Sequence, residues 1–183
     1  MDLSPTGYVI LGLLSLEPMS GYEIKAFVDK STRFFWAASY GQIYPQLRAL
    51  ADAGLIAGEA KPAGGRRRTV YSLTKEGRRA LREWLAIEPD VLEMRDEGLL
   101  KLFFADAADP SAALEILASK RRHHLEKVEA LRAIEPLAAA APERFPHLVA
   151  SYGIECNQWM ADWCDRAARE LEASENGDAR RSA

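Results

Sequence analysis

Residues 41–74 read GQIYPQLRALADAGLIAGEAKPAGGRRRTVYSLT, and within them the hydrophobic period changes twice. Ile43, Leu47 and Leu50 recur at helical spacing, with Leu55 beyond, which leaves Gln42, Tyr44, Gln46 and Arg48 for the other faces of a helix of about 42–53. Gly54 stands where a helix ends on a left-handed residue. Residues 55–60 and 69–73 then read as short strands. Pro62, Gly64 and Gly65 form a hairpin tip between them, and Arg66, Arg67 and Arg68 follow directly. Thr74 caps a further helix of about 74–86, closed by Pro89. The start of the first of these helices has two readings. Ser39 and Gln42 have capping-box spacing, but that start puts Pro45 deep in the helix. Gly41 as the N-cap leaves Pro45 in the first turn and is the preferred reading.

Upstream, Ser4 as N-cap, Pro5 at the first helical position and a Leu3–Tyr8 staple predict a helix of about 4–15, ended by Glu17 and Pro18. Ser20 and Glu23 form a capping box, with Met19 and Ile24 as the staple, and start a second helix of about 20–31. An aromatic linker, Phe34, Phe35 and Trp36, leads into the helix already described. The order helix, helix, helix, hairpin, helix predicts a mostly α protein. Its N-terminal domain, residues 1–88, is a winged helix-turn-helix with a two-stranded wing.

Downstream the pattern is helical only. A short apolar helix covers about 98–105, with Leu99, Leu100, Leu102, Phe103 and Phe104. Asp109 caps and Pro110 opens a long helix to about 134, and a small-residue link bounded by prolines spans 138–142. The last helix, about 142–173, carries Phe145, Val149, Tyr152, Cys156, Trp159 and Trp163 at alternating steps of four and three. That heptad seam calls for a partner helix. Residues 89–173 are therefore expected to form an all-helical dimerisation domain, and residues 174–183 a polar, disordered tail. The seam's aromatic faces could also take a planar effector, although dimer core is the safer reading.

The chain has 183 residues, 48% hydrophobic and 28% charged, which excludes collagen-like and wholly disordered classes. The early apolar run 9–14 is broken by Ser15, Glu17 and Pro18, is too short to span a bilayer, and has no basic segment before it. A cytoplasmic location is expected. The net charge of −3 divides into +3 over residues 1–88 and −6 over 89–183. Cys156 and Cys164, eight residues apart on one helix, lie about 12 Å from each other and are read as two separate thiols.

A basic hairpin behind a three-helix unit points to DNA. Arg66, Arg67 and Arg68 suit phosphates or a minor groove. Gln42 and Gln46 suit base edges or phosphates, and Tyr40, Tyr44 and Arg48 suit the backbone, with Lys25 on the second helix as a further phosphate contact. Each has a structural alternative: Tyr44 can pack under the wing, Arg48 can pair with Glu23 or Asp52, and Lys25 can be a solvated surface lysine. An enzyme finds little support. His123 and His124 are adjacent and diverge on a helix, His147 is isolated, and the chain has no phosphate loop or nucleophile elbow. Arg95, Asp96 and Glu97 read as an ion-pair cluster at a helix start. No metal and no cofactor are expected.

Several segments together resemble the PadR family of transcriptional regulators, of the longer type with a helical C-terminal region. They are Leu3-Ser4-Pro5-Thr6-Gly7-Tyr8 with Ile10-Leu11-Gly12-Leu13-Leu14, Met19-Ser20-Gly21-Tyr22-Glu23-Ile24, and Gly41-Gln42-Ile43-Tyr44-Pro45-Gln46-Leu47. Arg66-Arg67-Arg68-Thr69-Val70-Tyr71 with Leu73-Thr74-Lys75-Glu76-Gly77, and Arg95-Asp96-Glu97 with Leu99-Leu100-Lys101-Leu102-Phe103-Phe104, continue the match. The resemblance covers about 3–172. It implies a winged-helix homodimer on a palindromic operator, most often a repressor, and in some members a response to small aromatic molecules. The competing expectations are a winged-helix module that binds protein, and a helical ligand-binding protein without DNA affinity.

Overall fold

A computed structural model of the chain describes residues 3–63, 66–89, 95–107 and 110–181. The chain divides into two compact units, Met1–Val91 and Leu92–Ala183.

In the first unit, α1 (Pro5–Leu16) starts where Gly7 N–H donates to Ser4 Oγ at 3.2 Å. The two-residue strand β1 (Met19–Ser20) leads into α2 (Gly21–Lys30), whose capping box is complete: Ser20 N–H donates to Glu23 Oε2 at 2.8 Å, and Glu23 N–H to Ser20 Oγ at 3.4 Å. Next come α3 (Tyr40–Asp52), the hairpin of β2 (Ile56–Ala63) and β3 (Arg66–Leu73), and α4 (Lys75–Leu85). The strands form an antiparallel sheet in the order β1-β3-β2. The expected two-stranded wing thus gains a third strand, because Met19 and Ser20 pair with Tyr71 and Val70. The expected hairpin-tip glycines, Gly64 and Gly65, lie outside the described residues. Ile10, Leu11, Ile24, Ile43, Leu47 and Leu50 are wholly buried at the centre of the unit. Each such side chain contributes roughly 1.5–3 kcal/mol by leaving water.

The start of α3 corrects the sequence reading. Ser39, not Gly41, is the N-cap, and Pro45 lies inside the helix. Ser39 N–H donates to Gln42 Oε1 at 2.9 Å, which anchors the first turn. Pro45 removes one helical donor, the partner of the Gly41 carbonyl, but Gly41 is exposed and water can satisfy that oxygen. The burial of Ile43, Leu47 and Leu50 outweighs the lost bond. At the far end Gly54 has φ +69°, the left-handed conformation that glycine adopts without strain.

Thr74 caps α4, accepting from Gly77 N–H at 3.1 Å and donating to the Leu55 carbonyl at 2.9 Å. A Cβ on Gly77 would lie 2.1 Å from that same Leu55 oxygen. Only glycine lets α4 sit this close to the strand entry. Tyr8 stacks on Trp84 at 4.5 Å between ring centres and ties α1 to α4.

The second unit contains α5 (Glu97–Phe103), α6 (Pro110–Ala140) and α7 (Arg144–Arg181). Asp96 caps α5, accepting from Leu99 N–H at 3.0 Å, and pairs with Lys120 at 2.5 Å. The Arg95-Asp96-Glu97 cluster is thus a helix start, with Glu97 also paired to Lys101. The expected cap Asp109 lies outside the described residues. α6 does not stop near 134. It runs through Pro136 to Ala140, so the expected link at 138–142 is mostly helix, carried by alanines of high helical propensity. Likewise α7 continues to Arg181, past residue 174, where the sequence predicts a disordered tail.

The two long helices pack with small residues of α7 against mainly aliphatic residues of α6. Ala150, Ala161 and Cys164 of α7 are buried, as are Ala113, Leu117, Val128 and Leu131 of α6, and Leu131 lies against Gly153. His124 is buried in this contact, its Nδ1 2.9 Å from Asn157 Oδ1, while Asn157 Nδ2 donates to the Gly153 carbonyl at 2.7 Å. Burial pushes the His124 pKa below its ordinary 6.5. Cys164 is a buried thiol and Cys156 a half-buried one, both free.

Candidate nucleic-acid interface

The charged and aromatic residues singled out in the first unit come from three elements. The segment Ser20–Glu23 begins α2, α3 presents a tyrosine edge, and β3 carries the three arginines. On α3, Tyr40 and Tyr44 lie one turn apart, both nearly half exposed, with rings 6.0 Å apart and 20° from parallel. Tyr44 also covers the start of α2: a Cβ on Gly21 would meet its ring at 2.8 Å. The absence of a side chain at Gly21 is what lets the tyrosine ring settle there. Arg48 is exposed on the same helix.

The glutamines differ. Gln42 is exposed, but its amide oxygen already accepts from the Ser39 backbone and hydroxyl, leaving the amide N–H groups for other partners. Gln46 is half-buried, its amide oxygen 3.3 Å from where a Cβ on Gly7 would stand, so it packs toward α1. Lys25 is mostly buried at its side chain, pairs with Asp29 and lies 5.5 Å from the Tyr40 ring centre. It supports Tyr40 as well as supplying charge.

On the hairpin, Arg66, Arg67 and Arg68 stand opposite Ala63, Pro62 and Lys61. Arg68 Nη1 donates to Glu23 Oε1 at 3.1 Å. The two hydrogen bonds from Ser20 hold the Glu23 carboxyl below its ordinary 4.5, and Arg68 adds to the effect. Sequence reasoning offered Glu23 as a partner for Arg48, but the structure pairs it with Arg68. Tyr22, Tyr44, Arg68, Thr69 and Tyr71 line a cleft of about 410 Å³ between α2, α3 and the hairpin. Two residues at this interface escaped the sequence reading, Lys61 and Tyr22. Lys61 becomes legible once the strand register puts it across from Arg68. Tyr22, two-thirds exposed beside Tyr44, has no signal in the sequence beyond its place in the first turn of α2.

The second candidate surface is the α7 seam. Phe145, Val149, Tyr152 and Trp159 are exposed, and Cys156 and Trp163 half-buried. The seam therefore does not form the contact with α6, which uses the small-residue face instead. α5 adds exposed Leu100, Phe103 and Phe104. Among the described residues no helix is long and apolar enough to cross a membrane, and no cluster of His, Cys, Asp or Glu could hold a metal ion.

Known proteins resemble the chain over nearly its whole length. The negative transcriptional regulator PadR of Bacillus subtilis is 27% identical over 168 residues, covering 86% of this chain and 92% of its own. A crystal structure of that protein in complex with operator DNA superposes with a TM-score of 0.82 at 25% identity, over 90% of this chain and 98% of the other. The Vibrio cholerae virulence activator AphA superposes with a TM-score of 0.73 at 27% identity, over 92% and 99%. Residues 94–172 match the virulence activator alpha C-terminal family. Residues 10–83, which include α2, α3 and the hairpin, match the transcriptional regulator PadR-like family, and the first unit carries that family's domain.

Proposed function

We propose that the protein is a cytoplasmic, homodimeric DNA-binding repressor of a palindromic operator, joined through its C-terminal helices and released by a small aromatic effector. The observation that carries the reading is the cleft where Tyr44 of α3 meets Arg68 of the arginine strand, on a chain similar over nine-tenths of its length to a PadR protein crystallised on operator DNA. In this reading two copies of α3 enter successive major grooves about 34 Å apart. Tyr40, Tyr44, Arg48 and the amide N–H groups of Gln42 face the DNA. Lys25 and Gln46 act at closer range to the protein, Lys25 by supporting Tyr40 and Gln46 by seating α3 on α1. The arginines at 66–68 and Lys61 meet the backbone. The seam from Phe145 to Trp163 supplies the dimer contact, since an exposed aromatic heptad stripe is stabilised by pairing with its equal. The Bacillus subtilis PadR has also been crystallised with p-coumaric acid, which supports an aromatic effector here.

Fluorescence anisotropy with a labelled duplex from upstream of the protein's own gene tests the reading. Tight binding that outcompetes a scrambled duplex and weakens steeply with salt is expected. Replacing Arg66, Arg67 and Arg68 together by alanine should weaken binding to all sequences and lower the salt slope by about three. Equal affinity for the scrambled duplex across a genome-wide fragment selection would contradict it.

A further inference from the structure

Glu23 is a carboxylate beside Arg68, an arginine suited to phosphates, and a negative charge there needs a reason. Its two oxygens are used separately. Oε2 accepts from both the Ser20 backbone N–H and the Ser20 hydroxyl, at 2.8 and 2.7 Å. Oε1 accepts from Arg68 Nη1 at 3.1 Å, across 45 residues of sequence. The carboxylate is thereby fixed to the helix start on one side and grips the hairpin on the other. Ser20 also pairs with Val70 in the sheet, two residues from Arg68, so the helix start and the strand are one rigid corner. On that corner Arg68 lines the cleft beside Tyr22 and Tyr44.

We propose that Glu23 is a positioning residue for DNA binding: it holds the Arg68 guanidinium beside the Tyr22–Tyr44 edge, ready for a backbone phosphate. The proposal rests on the DNA-binding reading above. A free arginine on a strand samples many rotamers and must be ordered when it binds. One held by a fixed carboxylate is ordered beforehand, and its remaining N–H groups stay available to a second oxyanion. The opposite role, in which Glu23 occupies Arg68 and repels the phosphate, predicts effects of the opposite sign.

The experiment uses the full-length protein, the same labelled duplex, and the variants Glu23→Gln, Arg68→Ala and the double variant. Glutamine keeps an amide oxygen for Ser20, so α2 stays capped and the melting temperature should stay within a degree or two. Operator affinity should nevertheless fall about two- to fivefold, the range of a surface ion pair expressed in binding. In the Arg68→Ala background the same change should cause no loss, because the residue it positions is gone. A structural role for Glu23 would give equal losses in both backgrounds, and that result would overturn the proposal. So would tighter binding by Glu23→Gln alone, which would make Glu23 a mask on Arg68. Failure of the wild-type protein to bind any operator would remove the DNA-binding reading itself, and this proposal with it, an outcome distinct from a wild type that binds while the variants are unaffected.

Discussion

The two units of this chain finish their cores differently. In the first, six large aliphatic side chains from α1, α2 and α3 are wholly shielded, and exposed Tyr22 and Tyr44 share a cleft with Arg68. In the second, alanines, a glycine and a cysteine of α7 close on Leu117, Val128 and Leu131 of α6, while Tyr152 and Trp159 remain about two-thirds exposed and Phe103 more so. The first unit encloses large aliphatic side chains and presents a cleft lined by tyrosines and an arginine. In the second, α7 turns its small residues inward and keeps its aromatic ones on a surface that another chain can cover. Size and placement of side chains thus distinguish the unit proposed to read DNA from the unit proposed to pair.

The sharpest way to break this contrast is to change the seam. Replacing Trp159 and Trp163 together with serine removes two tryptophans from the proposed dimer contact. At roughly 2 kcal/mol or more for each anchor, dimer affinity should fall about a thousandfold, with little effect on the α6–α7 pair. Sedimentation of a still-dimeric variant would move the interface away from α7.

Next in size is a change inside the complete unit. Gly77→Ala drives a Cβ into the Leu55 carbonyl, a backbone atom that cannot turn aside. The loss should reach the upper end of the roughly 1–3 kcal/mol typical of overpacking, read as a lower urea midpoint at unchanged slope. Near-wild-type stability would mean that α4 docks less tightly than its geometry indicates.

The smallest effect belongs to the second unit. Burial lowers the folded His124 pKa below 6.5, so the unfolded chain takes up the proton first as pH falls. The His124 contribution is intact above about pH 6.5 and lost progressively below it, toward the lowered folded value. The melting temperature should drop from pH 7.5 to 5.5 more in the wild type than in His124→Gln. Equal drops would place the titrating group elsewhere.

How much of this was legible in the sequence follows from the range of the forces involved. The Ser20–Glu23 box and the Thr74 cap are local and were read correctly. At the α3 start two local signals compete, Pro45 against the Ser39–Gln42 box, and the capping bonds decide for Ser39. Pro136 does not end α6 either, since alanines continue the helix beyond it. β1 could not be read at all: two residues carry no period, and Met19 and Ser20 become a strand only because β3 lies beside them. On α7 the aromatic stripe was plain, but the face that packs on α6, Ala150, Gly153, Asn157, Ala161 and Cys164, hid behind residues too small to register as hydrophobic pattern. At the interface, Arg68 was visible as a charge, whereas its hold by Glu23 depended on a fold contact 45 residues away.

The central claim, one unit that reads and one that pairs, is tested most directly by sedimentation equilibrium of the full-length protein with a labelled palindromic duplex that it binds. The account predicts two protein chains per duplex, and one chain per duplex for the Trp159 and Trp163 double variant at concentrations where it still binds. A wild-type complex with one chain per duplex, or a variant that still binds as a pair, would contradict it.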